Sequence, residues 1–255
     1  MTAGAGLFDL SGKRALVTGA RTGLGQGLAL ALATAGADII GLGSQDMPET
    51  RRAVEALGRR FEEVVYDLRN PRDIPAMFAR LVEGGATVDI LINNAGQIRR
   101  ADFTDFTEED WDDVLNINLK STFVLSQAVV RHMLDRGIKG RIVNIASLLS
   151  FQGGIRVASY TASKHGVAGL TKLMANELAA KGITVNAIAP GYMATDNTEA
   201  LRNDPDRCRA ILERIPSGRW GEPSDLDTAV LFFASPASGY VTGQVLAVDG
   251  GWLAR

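Results

Sequence analysis

Short runs of apolar and β-branched residues alternate along this chain with longer segments of helical periodicity. Arg14 to Thr18 reads as a first buried strand and Gly23 to Thr34 as the helix after it. Ala37 to Leu42, Glu62 to Tyr66 and Val88 to Asn93 read as the next three strands. Arg141 to Ala146 and Thr184 to Ile188 supply two more, and Gln244 to Val248 the last. The longest periodic segments between them are Asp110 to Leu134 and Tyr160 to Ala180. Strands that are apolar throughout, separated by helices, predict a doubly wound α/β fold: a parallel sheet with helices on both faces. No repeat, low-complexity tract or Pro/Ser-rich linker interrupts the pattern, so residues 1–255 are expected to form a single domain. The exception to regularity is Tyr192 to Pro223, rich in charge and turn residues and carrying Pro205, Pro216 and Trp220. An insertion of that length between core strands is expected to be a substrate loop.

Composition narrows the function classes. The chain has 255 residues, of which 46% are hydrophobic, which suits one large core. A net charge of -2 leaves no basic footprint for nucleic acid and no polybasic membrane stretch. Cys208 is alone, which excludes an intramolecular disulfide framework and a cysteine zinc cluster, and no other metal cluster is evident. Met1 to Phe8 has no long apolar core, so it does not read as a signal peptide. No apolar run approaches the roughly 20 residues that cross a bilayer. A cytoplasmic location is expected.

Two constellations carry chemistry. After the first strand comes Thr18-Gly19-Ala20-Arg21-Thr22-Gly23-Leu24-Gly25. Glycines between a strand and a helix N-terminus let backbone N–H groups and the helix dipole meet a pyrophosphate. Asn93-Asn94-Ala95-Gly96 follows the fourth strand, where ligands of doubly wound sheets sit, and Asp67-Leu68 is expected to end the third. Asp67 can accept a hydrogen bond from an adenine amino group; as a plain turn residue it would do nothing. The second constellation is Tyr160 and Lys164, one helical turn apart, with Ser147 thirteen residues upstream of Tyr160. A free tyrosine titrates near ~10, and a lysine cation close by favours phenolate. Ser147 can then hold a substrate oxygen that Tyr160 protonates or deprotonates. His132 and His165 lie apart from any catalytic pattern and read as helix residues. Phe103, Phe106 and Trp111 read as packing.

Taken together, Thr18-Gly19-x-x-x-Gly23-x-Gly25, Asn93-Asn94-Ala95-Gly96, Asn118, Ser147, Tyr160-x-x-x-Lys164 and Pro190-Gly191 resemble the short-chain dehydrogenase/reductases from about Leu10 to the end. The resemblance implies a sheet of about seven strands, a nicotinamide cofactor, a tetramer, and a catalytic tetrad of Asn118, Ser147, Tyr160 and Lys164. Asn118 is taken rather than Asn116 because the family's asparagine precedes a leucine. Its implied role is to hold a water linking Lys164 to solvent. The cofactor set implied is Gly19, Arg21, Thr22, Gly23, Leu24, Gly25, Ser44, Asp67, Leu68, Asn93, Ala95, Gly96, Tyr160, Lys164, Pro190, Gly191, Met193 and Thr195. Met193 would act through its backbone, and Lys164 would also bond the nicotinamide ribose. A narrower resemblance rests on residues 22–27, 150–157, 191–195, 219–221 and 248–255. It is to the members of the family that oxidise deoxy sugar acids.

That resemblance implies an oxidoreductase moving hydride between the nicotinamide and a secondary alcohol or ketone of a sugar acid. Two other readings stand beside it: a carbonyl reductase of another substrate such as a ketoacyl thioester, and a dinucleotide sensor without turnover. The intact tetrad argues against the sensor. NAD is expected ahead of NADP, since no basic clamp follows the second strand. The acid that usually grips the adenosine 2′-OH is also missing there, with Asp46 just beyond. A sugar acid needs a cationic grip, for which arginine's planar fork is suited. Arg99, Arg100, Arg156 and Arg219 lie near the expected mouth; Arg156 ranks first and Arg99 second, with Gln152 as a neutral donor. Val114, Val129 and Leu173 can serve either the protein's own core or a subunit interface.

Overall fold

In a computed structural model the protein is described over residues 6–255; the first five residues of the Met1–Phe8 stretch lie outside them. Seven parallel strands form one sheet in the order β3-β2-β1-β4-β5-β6-β7. They are β1 (Arg14–Thr18), β2 (Asp38–Gly43), β3 (Phe61–Val65), β4 (Ile90–Asn93), β5 (Arg141–Ile145), β6 (Thr184–Pro190) and β7 (Val245–Val248). The order reverses between β1 and β4, which opens a crevice at their carboxyl ends. The register pairs Val17 with Ile92, Asn93 with Asn144, Ile145 with Ile188 and Pro190 with Val248. Gly19, Asn94, Ser147 and Gly191 therefore all leave the sheet along one edge.

Alternation within the inner strands explains why they are mostly apolar, whereas edge strand β3 carries Glu62 and Glu63. Ala15, Val17, Ile39, Ile90 and Ile92 point to one core, together with Leu28 and Leu32 of α1 (Gly23–Thr34) and Phe233 of α9 (Asp227–Ala234). Leu16, Ile40, Leu42 and Leu91 point to the other. There they meet Phe78 of α3 (Ile74–Glu83), Val129 of α5 (Ser121–Asp135) and Met174 of α6 (Ala158–Leu178). With two covered faces, both side-chain sets are withdrawn from water.

Three expectations are corrected. The segment read as one helix from Asp110 to Leu134 is α4 (Glu108–Leu115) and α5, joined by a π-helical turn at Asn116–Lys120. Such turns widen a helix locally and recur at functional sites; this one carries Asn118. Strand β3 ends at Val65, so Asp67 lies two residues beyond it. Phe103 and Trp111 do not pack: both are exposed, Phe103 at 87%. Of the ambiguous apolar residues, Val114 and Val129 are in the core and Leu173 is on the surface.

The Tyr192 to Pro223 segment is folded. It contains α7 (Glu199–Arg202) and α8 (Pro205–Leu212), and its two ends are stitched by Ala194 N–H to Gly221 O and Gly221 N–H to Tyr192 O. Ile211 and Ile215 dock on Leu148 and Trp252, so the segment lies over the carboxyl edge of β5 and β7. For completeness, α2 spans Pro48–Ala56.

Candidate active site

Tyr160 and Lys164 lie in the first and second turns of α6, and Lys164 reaches the end of β5. The Lys164 ammonium is 5.5 Å from the Tyr160 ring centroid and donates to the Ile145 carbonyl at 2.6 Å. Lys164 is buried, and desolvation lowers its pKa from 10.5 to about 8. Burial raises the Tyr160 pKa, opposed by a hydrogen bond with Ser147 and by the positive charge of Arg100. Ser147 and the phenol are thus in contact. Arg100 thus adds a second positive charge beside the Lys164 ammonium, which lies against the Tyr160 ring while bonded to the Ile145 carbonyl.

Ser147 caps a short turn, Leu148–Ser150, with its hydroxyl accepting from Leu149 N–H. Ser150 Oγ then donates to the Lys164 carbonyl at 2.7 Å, which ties the Ser147 turn to α6. Asn118 does something the sequence did not disclose. Its Oδ1 accepts from Gln97 N–H at 2.8 Å, and its Nδ2 donates to Gln97 O and to Ser163 Oγ. Ser163 Oγ donates in turn to the Tyr160 carbonyl. The Asn118 side chain therefore pins the loop after β4 to α6, and its own carbonyl accepts from Thr122 Oγ1. Ser150 and Ser163 were missed by sequence reasoning; their small buried hydroxyls carry no pattern of their own.

The residues present fit a dinucleotide. Gly19 and Gly23 have φ of +67° and +58°, the left-handed region that favours glycine. A Cβ on Gly25 would meet the Gly19 carbonyl oxygen at 2.1 Å, so a side chain there would close the turn. Thr22 at the α1 N-cap makes no side-chain cap, and the first turn holds no acid, leaving backbone N–H groups for an anion. Thr18 Oγ1 accepts from Asn94 and Ala95 N–H, which joins the glycine turn to the loop after β4. Leu24 is half-buried beside the core, and Thr195 Cγ2 would lie 3.8 Å from a Cβ on Gly23, so the segment after β6 closes over the glycine turn.

Other assigned residues fall differently. The Asn93 side chain is spent internally, donating to Ser126 Oγ and Asn144 Oδ1. Asp67 is tied to Arg69, whose guanidinium accounts for most of the lowering of its pKa. Leu68 is buried, and the Met193 side chain is packed in the core against Gly221. Gly191 lies where a Cβ would meet Asp249 Cα at 2.6 Å, directly after Pro190. Ala95 is half-buried, and Gly96, Arg21, Thr22 and Ser44 are exposed at the mouth. His132 packs edge-on to Phe78 and His165 faces solvent. Among the described residues no group of His, Cys, Asp and Glu can hold a metal ion.

The four arginines separate. Arg219 makes a two-bonded pair with Asp225 at 2.7 Å, and Arg99 pairs with Asp110 at 3.3 Å. Arg156 pairs with Asp102 at 3.1 Å and holds φ +64°, unusual for a residue with a side chain. Its carbonyl accepts from Ala101 N–H, so the loops before and after it meet at the mouth. Arg100, which ranked low from sequence, is the one whose charge reaches Tyr160. Gln152 is half-buried on the same loop as Arg156.

Comparison with known proteins agrees with this geometry. Residues 19–253 match the family model described as enoyl-(acyl carrier protein) reductase. The chain is 59% identical to the 2-dehydro-3-deoxy-D-gluconate 5-dehydrogenase of Escherichia coli (strain K12), covering 97% of this chain and 98% of that one. It is 57% identical to the enzyme of that name from Bacillus subtilis (strain 168), over 97% of each. Among solved structures, a candidate 2-deoxy-D-gluconate 3-dehydrogenase from Agrobacterium tumefaciens with bound NADP has 54% identity and a TM-score of 0.92. That alignment covers 98% of this chain and 99% of that one.

Proposed function

This chain belongs to the short-chain dehydrogenase/reductase family, and on that premise we propose that it is an NAD(P)-dependent dehydrogenase of a deoxy sugar acid. The substrate is of the 2-dehydro-3-deoxy-D-gluconate or 2-deoxy-D-gluconate type. The observation that carries the reading is the Ser147–Tyr160–Lys164 constellation in a chain 59% identical to a dehydrogenase of that substrate. The family model's description names an acyl thioester reductase, but the sugar-acid relatives match almost end to end. The non-catalytic sensor reading has no use for a tyrosine contacting a serine beside a buried lysine. Turnover of a small panel of uronate-derived sugar acids, followed by absorbance of the reduced dinucleotide, tests the proposal. Turnover of a 3-ketoacyl thioester at a higher kcat/KM than any sugar acid would overturn it.

The nicotinamide, when bound, accepts or donates the hydride. The protein positions and moves a proton. Ser147 Oγ holds the reacting oxygen, and Tyr160 takes its proton in oxidation. Lys164 holds the proton path behind the phenol, and Asn118 keeps the loop after β4 against α6. Gly19, Gly23 and Gly25 bring backbone N–H groups to the pyrophosphate. Pro190, Gly191, Met193 and Thr195 would hold the nicotinamide end of the cofactor. NAD and NADP both fit at Ser44, where β2 ends without an acid; the Agrobacterium neighbour carries NADP. Asp67 reaches adenine only by releasing part of its bonding to Arg69.

Arg156 is assigned to the substrate carboxylate, which would compete with Asp102 for its guanidinium, with Gln152 as a neutral donor and Arg99, likewise paired with Asp110, second. Arg156→Ala is expected to raise KM for the acid substrate by about ten- to a hundredfold, the loss of a charge-assisted bond of about 1.5–3 kcal/mol. KM for a neutral sugar analogue and affinity for the dinucleotide should change little. An equal effect on acid and neutral substrates would sink the assignment and move it to Arg100, whose Ala variant serves as the parallel measurement.

The assembly we infer is a cytoplasmic homotetramer. Phe123 and Leu134 are eleven residues apart on α5, a multiple of the helical repeat within about 20°, so they share one face. Both are exposed, as are Trp111 on α4 and Leu173 on α6. Exposed apolar side chains on adjacent elements are what an interface leaves on an isolated chain. Sedimentation at micromolar concentration should give four subunits, and a monomer there would contradict the inference.

A further inference from the structure

The C-terminal turn is built into the substrate side of the site in a way that its distance along the chain conceals. Asp249 accepts from Gly251 N–H and Leu253 N–H, which closes the turn. Gly250 and Gly251 have φ of +63° and +92°. A Cβ on Gly250 would strike Ser217 Oγ at 2.4 Å, and one on Gly251 would meet Pro216 Cγ at 2.9 Å. The turn is therefore pressed against the segment that covers the mouth. Trp252, delivered by this turn, is buried. Its ring lies 4.7 Å from the Tyr192 ring and 3.9 Å beneath the Arg214 guanidinium. Tyr192 in turn stands edge-on to Trp220. Trp252 has one polar atom, and that atom donates to Gln152 Oε1 at 3.4 Å, across to the loop between Ser147 and Tyr160.

We propose that Trp252 is a positioning residue for substrate specificity, acting through Gln152. With Oε1 bonded to the indole, the Gln152 amide is fixed against flipping, one lone pair of Oε1 is taken, and its two Nε2 donors remain for a substrate. An amide held this way favours acceptor oxygens such as a carboxylate or a sugar hydroxyl used as acceptor. An amide free to flip would offer either end and discriminate less. The ring of Trp252 supplies the second half of the device. By packing at a tilt against Tyr192 and under Arg214 it ties Gln152's loop to the covering segment, so the placement of that segment and the presentation of the donors are set together. The inference rests on the sugar-acid reading above and adds to it the residue that sets how Gln152 is presented.

Trp252→Phe keeps a ring and removes the N–H. It is expected to raise KM for the sugar acid about tenfold, with kcat and dinucleotide affinity nearly unchanged. In a Gln152→Ala background the same substitution should have no further effect on KM, because the group it positions is gone. Independent effects that multiply in the double variant would overturn the proposal, as would a fall in kcat and melting temperature with KM unmoved. Gln152→Glu is the second arm, which leaves Trp252 in place. It keeps an oxygen for the indole but replaces the donors with charge, so KM for the acid should rise more than for a neutral analogue. An unchanged preference would remove the donor assignment. In protein labelled with 5-fluorotryptophan, Trp252→Phe identifies one of three resonances, and Gln152→Leu should shift that resonance. A resonance that does not move overturns the coupling whatever the substrate proves to be. Failure of the wild type to turn over any sugar acid would instead remove the reading of function.

Discussion

Tyr160→Phe is expected to lower kcat by about three orders of magnitude, inside the ~10²–10⁴ range of general acid–base catalysis. Fold and dinucleotide affinity should be retained. The substitution removes one hydroxyl and keeps the ring that lies 5.5 Å from the Lys164 ammonium. The hydroxyl contacts Ser147, so its loss removes both the proton acceptor and one partner of the serine that holds the substrate oxygen. Stopped-flow absorbance of the reduced dinucleotide, with calorimetric titration of the dinucleotide, makes the measurement. Near wild-type turnover would remove Tyr160 from the mechanism. The pH profile gives a second reading. Burial holds the phenol pKa up, and Arg100 opposes it, so turnover in the oxidation direction should rise with pH on its acidic side. Arg100→Ala should move that limb to higher pH.

Lys164→Met is expected to abolish most turnover and weaken dinucleotide binding, and at the same time to stabilise the unliganded protein. The stability arises from linkage. The Lys164 pKa falls from 10.5 in the unfolded chain to about 8 in the fold, because burial disfavours the charged form. Below pH 8 both states hold the proton and the full penalty applies, on the order of 3 kcal/mol before the bond to Ile145 O offsets part of it. Between pH 8 and 10.5 the unfolded chain binds the proton more than the fold does, so wild-type stability rises with pH in that window. Methionine carries no such penalty. The variant's advantage in urea midpoint at fixed protein concentration should therefore be largest at pH 7 and shrink towards pH 10. A variant less stable at pH 7, or an advantage that grows with pH, would show that the ammonium is not disfavoured by the fold. The trade of stability for a charged group at a reacting centre is common at active sites.

How much of this was legible beforehand depends on the range of each interaction. The seven strands, the parallel sheet and the glycine turn were readable because they rest on local pattern and backbone conformation. Alternate residues of each strand feed two cores, which leaves a continuous apolar run in the sequence. Tyr160 and Lys164 were readable because four residues on a helix leave two side chains on one face. The break at Asn116–Lys120 was not readable, since a π-helical turn leaves the apolar pattern on both sides intact.

The amino-acid sequence by itself determined the fold class, the nucleotide turn and the identity of the groups able to move a proton. Each depends on residue type and short spacing, which the chain carries wherever it folds. The tertiary structure alone decided what those groups touch. It brought Lys164 to the Ile145 carbonyl, made Asn118 a clamp on Gln97, and added the Arg100 charge to the surroundings of Tyr160. It also laid Trp252 against Gln152, one hundred positions earlier in the chain. Partnerships of that kind are set by how strands order in the sheet and how loops cross its edge, and no local pattern encodes them.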